Sequence, residues 1–150
     1  MVQTNRKVEN TLSVDQDKVV RSIERDHLGK LPRSINVLGT EYEILYLPES
    51  AIKFDDDEIV GSLDRFDKEI RISIDVYNKA KPAGARRARK ELNEILRHEI
   101  MHAFFAESGL GDECDFTKDE ILVDWIAMKL PQIIDVMEDA NIIEGRGAQK

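Results

Sequence analysis

Apolar and polar residues alternate from about residue 35 to residue 74, a pattern that predicts β-strands. Within Ile35–Leu47 the alternation indicates two short strands or one bent strand, with a break at Gly39 and Thr40. Pro48 closes this stretch, because proline has no backbone N–H to donate to a neighbouring strand. A first β unit is therefore expected here.

A second β unit is predicted from two apolar runs that flank a polar turn. Ile59–Leu63 and Glu69–Ile74 form the runs, and Asp64–Lys68 has the composition of a turn. In the second run isoleucines alternate with Arg71 and Ser73, which is typical of a half-buried strand with one polar face. Such a strand is expected at an edge of the sheet or in the wall of a groove.

Helical periodicity begins after a break at residues 82–84. An apolar stripe recurs from about Ala85 to Glu107, and Gly109 is well placed to end this long helix. A loop over Gly111–Phe116 follows. The pattern therefore predicts one long helix with a well-defined end.

A second helix is predicted to begin near Thr117 and to reach Pro131, which would interrupt or kink it. Residues 131 to about 140 can form one more short helix. Together the patterns predict an α+β fold, in which a small, mainly antiparallel sheet packs on the long helix and a second helix completes the domain.

The two ends of the chain show weaker patterns. Residues 1–32 are polar and charged with a few apolar positions at helical spacing, and we expect a flexible or loosely attached helical segment. His27 has no partner nearby in sequence and is expected on the surface. The domain is assigned to residues 33–143, and the tail at 144–150 is expected to fray.

Length and composition describe one globular domain. A chain of 150 residues with 41% hydrophobic and 35% charged residues can bury a core and keep a charged surface. No apolar run approaches the roughly 20 residues that span a bilayer, and no signal peptide is recognisable. A cytoplasmic protein without membrane contact is therefore expected. The single cysteine, Cys114, agrees with a reducing compartment.

The net charge of −8 disfavours a nucleic-acid partner, because phosphate binding requires a positive surface. One basic cluster runs against this average and contains Arg86, Arg87, Arg89 and Lys90. We expect it to be a solvated helix face. The acidic run Asp55–Glu58 lacks the spacing of an EF-hand and is expected to be a solvated turn.

Two histidines on the predicted long helix carry the strongest chemical signal. His98 and His102 lie four residues apart, so both imidazoles project from one face and can share one Zn²⁺. Glu99 lies where it can reach a water activated by the metal and act as general base. The alternative is coincidence, although two of the three histidines of the chain lie here.

A catalytic zinc needs a third protein ligand. The candidates downstream are Glu107, Asp112, Glu113, Asp115, Glu120 and Asp124. Glu107 points away from the metal face, and the loop acids would be held by a mobile segment that supports a ligand poorly. Glu120 and Asp124, four residues apart, share one face of the second helix.

Two roles stay open for Glu120. It could bind the metal, with Asp124 then placed to hydrogen-bond the far nitrogen of a ligating histidine. It could instead close a capping box that begins at Thr117, in which its carboxylate returns to the amide of the cap residue. In that case Asp124 becomes the ligand candidate.

The sequence HEIMH at 98–102, followed after seventeen residues by EILVD at 120–124, resembles the gluzincin pattern of thermolysin-like metallopeptidases. The resemblance implies one zinc ion and defined roles for five side chains. The implied zinc ligands are His98, His102 and Glu120, the implied base is Glu99, and Asp124 is implied to support a histidine.

The stretch from Ile35 to Pro131 is also similar to phage- and prophage-encoded proteins of the ImmA/IrrE metallopeptidase family, through the phrases INVLGTEYEI, LRHEIMHAFFAESGL and EILVDWIAMKLP. In the last phrase only the first Glu matches the usual Glu-x-Glu-Ala-Asn-x-Phe-Ala segment of that family. The resemblance implies a minimal zincin-like domain. No DNA-binding helix-turn-helix is recognisable, so cleavage of a repressor is not implied.

These observations predict a zinc metallopeptidase that hydrolyses peptide bonds in a protein or peptide substrate. The substrate is expected to lie along the Glu69–Ile74 strand by β-addition, next to Arg71, Ile72 and Ser73. Because histidine and carboxylate ligands accept several divalent ions, the metal itself is left open. The oligomeric state is not indicated.

Two alternative functions remain. The first is a catalytically weak, metal-stabilised protein-binding module of phage or prophage origin. The second is a regulator associated with nucleic acid through residues 86–90. For the peptidase, Arg97, Arg71 and Tyr77 are candidate oxyanion donors, although each is expected on the surface.

Overall fold

The structure is a computed structural model that describes residues 17–25, 29–52 and 59–143. Within them the chain has the predicted α+β fold. No helix in this part of the chain is both long and apolar enough to cross a bilayer. The strands are β1 (Ser34–Val37), β2 (Thr40–Leu47), β3 (Gly61–Asp64) and β4 (Glu69–Ser73). The helices are α1 (residues 17–25), α2 (Ile74–Ala80), α3 (Ala85–Glu107), α4 (Leu110–Glu113) and α5 (Glu120–Asp139).

The sheet is mixed, with the strand order β1-β2-β4-β3. The pairs β1–β2 and β3–β4 are antiparallel, so the first predicted unit is two strands and not one bent strand. The central strands β2 and β4 are parallel, from Glu43 opposite Glu69 to Leu47 opposite Ser73. Because β3 runs antiparallel to β4, it returns the chain to the end of the sheet where β4 begins, so β4 can run parallel to β2.

Strand β4 lies inside the sheet, which corrects the prediction of an edge strand. It pairs with β2 on one side and with β3 on the other, so its backbone groups are already hydrogen-bonded. Addition of a substrate strand needs free backbone N–H and C=O groups. The prediction that a substrate lies along Glu69–Ile74 is therefore wrong. The edges of the described sheet are β1 and β3.

Arg71 was predicted to contact substrate, but it lies on the outer face of the sheet. Its guanidinium donates to Glu69 at 2.6 Å and to Asp64 at 3.5 Å. Its neighbours Ile70 and Ile72 point the other way and are fully buried. Arg71 therefore links two strands on the face opposite the core.

Ile72 and Ser73 also have structural roles. Ile72 is part of the core, and Ser73 is the buried N-cap of α2. The hydroxyl of Ser73 accepts a hydrogen bond from the amide of Asp75 at 3.3 Å. This cap ends β4 one residue earlier than predicted, since Ile74 is already the first residue of α2.

The core lies between one face of the sheet and the helices α2 and α3. Inward residues alternate along β2 and β4, which gives the sheet a continuous apolar face. Helix α3 covers this face with its own apolar stripe. The strands contribute Val37, Tyr42, Ile44, Tyr46, Ile70 and Ile72, and the helices contribute Ile74, Tyr77, Ala88, Leu92, Leu96 and Ala103.

Residues 17–25 form a helix that packs on the same core. Val20 and Ile23 are buried, and Leu31 joins them. This packing is firmer than the loose attachment that the sequence suggested. The division of the chain at residue 32 stays a prediction, and residues 1–16, His27, the acidic run at 55–58 and the tail at 144–150 lie outside the described residues.

The basic cluster on α3 is not one solvated face, because Arg89 is only 8% exposed. Its guanidinium donates to the carbonyl oxygens of Gly29 at 3.2 Å and Lys30 at 2.9 Å, and so fastens the segment before β1. Arg86 and Arg87 are exposed. Because Arg89 is buried, the cluster presents fewer positive charges to solvent, which weakens the prediction of a nucleic-acid site.

Helix α5 begins later than predicted and has a different cap. Asp119 is the N-cap, and its carboxylate accepts from the amides of Ile121 at 3.0 Å and Leu122 at 3.3 Å. Thr117 lies in a preceding 3-10 turn, where its hydroxyl donates to a carbonyl three residues earlier. The capping box is therefore wrong, and Glu120 is free of that role.

Helix α5 runs through Pro131 to Asp139 without the predicted interruption. A proline inside a helix leaves the carbonyl four residues earlier without its donor, here the carbonyl of Ala127. Nε of Arg97 on α3 donates to this oxygen at 2.8 Å. Arg97 thus docks α5 on α3 and has a structural role in place of that of an oxyanion donor.

We expect Arg97→Met to lower the free energy of unfolding by about 1–3 kcal/mol, because it leaves a buried carbonyl without a donor. In a Pro131→Ala background the helix regains its own N–H donor to Ala127, so the same change should cost less. Urea denaturation of the wild type, both single variants and the double variant measures this coupling. Equal costs in the two backgrounds would contradict it.

Glu107, the last residue of α3, joins the helix to the sheet. Its carboxylate accepts from the hydroxyls of Thr40 at 2.7 Å and Tyr42 at 2.6 Å, and from the ammonium of Lys68 at 2.7 Å. These hydrogen bonds, the one from Lys68 above all, lower the pKa of Glu107 to about 2. The carboxylate of Glu107 therefore binds the sheet, in agreement with the prediction that it points away from the metal face.

The hydrogen bonds of Glu107 make the stability of the fold depend on pH. Because its pKa falls from 4.5 to about 2 on folding, the ionised carboxylate stabilises the fold above pH 4.5, and this contribution is lost as the pH falls towards 2. The stability difference between wild type and Glu107→Gln should therefore shrink over this range. Urea denaturation at neutral pH and at several acid pH values measures it. A difference independent of pH would refute the role of the charge.

Candidate metal centre

Helix α3 carries His98, Glu99 and His102 towards α5. Their spacing places both imidazoles on one face of the helix, with ring centroids 4.7 Å apart in an edge-to-face arrangement. Leu96 and Ala103 are buried in the core and fix the rotation of the helix. The two histidines are only partly exposed at the surface.

The first turn of α5 brings Glu120 and Asp124 to the same place. Asp119 caps the helix, so its first turn is held in register. Glu120 and Asp124 then project one turn apart towards α3. The two residues that the sequence left as alternatives are both present at the histidines.

Ligand atoms of three residues converge between the helices, with both oxygens of Glu120 near the histidines. Nε2 of His98 lies 3.0 Å from Nε2 of His102 and 3.0 Å from Oε2 of Glu120, and Nε2 of His102 lies 3.4 Å from Oε1 of Glu120. Ligand atoms that bind one tetrahedral Zn²⁺ at about 2.0–2.1 Å are about 3.3 Å apart. The donor set and its spacing therefore fit a single zinc ion.

Asp124 contacts the far nitrogen of His98. Its Oδ1 lies 2.7 Å from Nδ1 of His98. With the proton on Nδ1 donated to this carboxylate, Nε2 keeps its lone pair and faces the other ligand atoms. Asp124 therefore sets both the tautomer and the orientation of this imidazole.

The surroundings of His102 favour the neutral imidazole that a metal requires. Burial lowers the pKa of His102, and the nearby Glu120 opposes this effect only in part. A neutral imidazole can donate a lone pair, whereas a protonated one cannot. The environment of His102 therefore favours a ligand.

Glu99 is the buried carboxylate of the centre, with 6% of its surface exposed. Among the described residues it has no hydrogen-bond partner. Burial raises the pKa of Glu99 to about 7, with a smaller opposing effect from His98 and a reinforcing one from Glu120. A carboxylate of this kind suits proton transfer near neutral pH.

Gly61, the first residue of β3, allows the sheet edge to approach Glu99. A Cβ atom at this position would lie 2.7 Å from Oε1 of Glu99 and 2.8 Å from Cγ2 of Ile95. Such distances exclude a larger side chain unless Glu99 or Ile95 moves. The glycine therefore places the edge strand β3 directly beside the candidate base.

The centre lies in a cleft with two lobes that share Gly61, His98, Glu99 and Glu120. The first, called the α4 lobe, has a volume of about 560 Å³. The second, called the α2 lobe, has a volume of about 610 Å³. The α4 lobe is lined by Ile59, Leu63, Arg65, Phe105, Thr117 and Lys118, and the α2 lobe by Val60, Val76, Glu91, Glu94, Ile95 and Met128.

The remaining acidic candidates for the third ligand lie elsewhere. Asp112 accepts two hydrogen bonds from Arg65, at 3.0 and 3.1 Å. Glu113 and Asp115 are exposed on the segment between α3 and α5, and Glu107 binds the sheet. The group that could hold a metal contains none of them.

Three residues differ from their sequence-based interpretation, one in the core and two in the cleft. Tyr77, expected on the surface, is 1% exposed in the core. Glu94 lines the cleft but was missed by the sequence-based prediction, although its spacing of four residues from His98 places both on the same helix face. Gly61 had no comparable signal, because only the tertiary structure brings β3 against α3.

The chain matches no protein-family model, no curated protein and no solved structure, so the assignment of this centre rests on its geometry.

Proposed function

We propose that the protein is a zinc-dependent peptidase. The observation that carries this proposal is the convergence of His98, His102 and Glu120, with ligand atoms 3.0 to 3.4 Å apart, beside the buried carboxylate of Glu99. Two histidines, one carboxylate and a neighbouring glutamate form the donor set and base of a hydrolytic zinc site.

A zinc ion held by these ligands would supply Lewis acidity, polarising the scissile carbonyl and lowering the pKa of water. Glu99 accepts a proton from the water that adds to the carbonyl carbon. It then delivers this proton to the amine nitrogen as the C–N bond breaks. Asp124 keeps the imidazole of His98 oriented throughout.

The edge strand β3 is the natural support for an extended substrate. It replaces the interior strand β4 in this role, because its outer backbone groups have no neighbouring strand within the described sheet. It also runs past Glu99 at Gly61 and connects the two lobes. A peptide that pairs with β3 would pass across the ligands.

The resemblance of the sequence to gluzincins and to ImmA/IrrE proteins supports the same proposal. Each residue to which that resemblance assigns a role lies at the centre: His98, Glu99, His102, Glu120 and Asp124. This argument from resemblance does not involve β3, because no sequence motif indicated the position of that strand.

Metal-dependent cleavage tests the proposal. Purified protein should contain about one zinc per chain by elemental analysis, and it should cleave peptides from a mixture of random sequences. Chelation should abolish cleavage, and added zinc should restore it. A zinc-loaded protein that leaves the whole mixture intact would refute the peptidase.

A second function is favoured by the exposed apolar face of α5. Ile121 is 81% exposed, Trp125 51%, Met128 49% and Val136 67%. Apolar surface of this extent on one helix is typical of a protein-binding site. A metal-stabilised binding module is therefore the alternative, and it predicts that zinc raises the Tm while no peptide is cleaved.

A further inference from the structure

The α2 lobe has the shape and chemistry to hold a long side chain. Its walls are apolar at Val60, Val76, Ile95 and Met128, and it opens directly from the candidate ligands. The alkyl stem of a lysine or arginine packs well on such walls while its charged end reaches a polar group. The volume of about 610 Å³ is ample for one such side chain.

Three carboxylates that the other lobe lacks line this lobe. Glu91 and Glu94 precede His98 by seven and four residues, so all three share one face of α3. Asp124, on α5, lines the same lobe, where its carboxylate contacts His98. Among the described residues that line the lobe, none is a lysine or an arginine.

The cations near these carboxylates lie outside the lobe. Arg87 donates to Glu91 at 3.1 Å, and Lys90 lies 3.9 Å from Glu94. Both basic side chains are largely exposed, 68% for Arg87 and 76% for Lys90, so solvent screens these pairs. Glu91 and Glu94 thus remain able to bind a second cation.

The other lobe differs in charge. The α4 lobe carries Arg65 and Lys118 and none of the carboxylates beyond those shared at the centre. The buried Glu99, without a hydrogen-bond partner among the described residues, lies in the walls of both lobes. The α2 lobe is therefore the acidic side of the cleft, whereas in the α4 lobe Arg65 is paired with Asp112.

We propose that the α2 lobe binds a lysine or arginine side chain of the substrate next to the scissile bond, with Glu94 and Glu91 as the specificity-determining residues. This inference rests on the proposed peptidase function. It names the class of substrate that the cleft selects, which is a basic peptide segment.

The test uses a mixture of short peptides of random sequence and zinc-loaded protein, with mass spectrometry of the products. Lysine and arginine should be enriched next to the cleaved bonds by about tenfold over glutamate, because like charges in the lobe repel. The enrichment should be lost in Glu91→Gln/Glu94→Gln and should decline with added salt.

Unchanged zinc affinity of this double variant shows that it is folded. The matched control is Glu43→Gln, an exposed acid on the outer face of β2, which should keep the enrichment.

Cleavage without preference for basic residues would overturn the inference and leave the peptidase standing. Enrichment that persists in the double variant would overturn the roles of Glu91 and Glu94.

A binding measurement separates the two proposals when nothing is cleaved. Two fluorescent peptides that differ only in one lysine or glutamate are titrated with zinc-loaded Glu99→Gln. Tighter binding of the lysine peptide, lost when Glu91 and Glu94 are also changed, supports the α2 lobe as a site for a basic side chain although the peptidase has failed. Equal binding of the two peptides overturns this site as well.

Discussion

Replacing Glu120 by glutamine is expected to weaken zinc binding by about a thousandfold or more, beyond the loss of about 10- to 100-fold that is typical of residues that only orient a ligand. The oxygens of Glu120 lie 3.0 and 3.4 Å from the two histidine nitrogens, where a neutral amide is a poor substitute for a carboxylate. The fold should be little changed, because the cap of α5 is Asp119. Competition titration with a chelator of known affinity measures the loss.

Two further variants make this experiment decisive. Asp124→Asn should weaken zinc binding by only about 10- to 100-fold, since Asp124 contacts the far nitrogen of His98 and not the ligand atoms. Glu113→Gln, a change at an exposed acid at the end of α4, is the matched control and should leave the affinity unchanged. A larger loss at Asp124 than at Glu120 would reverse their roles.

Replacing Glu99 by glutamine is expected to lower the rate of peptide hydrolysis by about 10²- to 10⁴-fold, the usual contribution of a general base. Zinc affinity should be retained, because Glu99 is not among the converging ligands. The wild-type rate should fall at acid pH as Glu99 becomes protonated. Kinetics at saturating zinc, with the zinc content of each sample measured, test this expectation.

The same variant should be more stable than the wild type in the absence of metal. Burial raises the pKa of Glu99 from 4.5 to about 7, so this group stabilises the fold fully below pH 4.5, and that stability is lost as the pH rises through 7. Glutamine does not ionise, so its advantage should grow from near zero at acid pH to about 3 kcal/mol above pH 7. Urea denaturation of the metal-free proteins measures it.

Together the two measurements separate a base from a structural carboxylate. A Glu99→Gln protein that keeps its activity would remove Glu99 as base. One that is less stable than the wild type at every pH would show that the carboxylate supports the fold. Ser62→Ala, in the neighbouring strand β3, is the control for the pH dependence of stability. It removes a buried hydroxyl that has no partner among the described residues and does not ionise, so its effect on stability should be the same at every pH.

Several elements could be predicted from the sequence because they depend on residues close together in the chain. Period-two alternation predicted both β units, although it left the first as two strands or one bent strand. The bounds of α3 follow from the break at Gly84 and the stop near Gly109. The four-residue spacing of His98 and His102 places both imidazoles on one face as soon as their segment is helical. Propensity and periodicity decide such features locally.

The roles of Glu120 and Asp124 were only partly determined by sequence. Their separation placed them on one helix face, but the capping box predicted from Thr117 left the role of Glu120 open. Asp119 became the cap because the preceding residues form a 3-10 turn. That choice depends on how the segment after α3 packs, which no short-range pattern contains.

Other features were decided by contacts between distant parts of the chain. The parallel pairing of β2 and β4 made β4 an interior strand and left β3 as the edge beside Glu99. Arg89 was buried by the segment before β1, 59 and 60 residues away. Pro131 stays inside a helix because Arg97, from another helix, satisfies the carbonyl that proline leaves free. Sequence periodicity reports which face of an element is apolar, whereas the partner of that face is chosen by the packing of the whole domain.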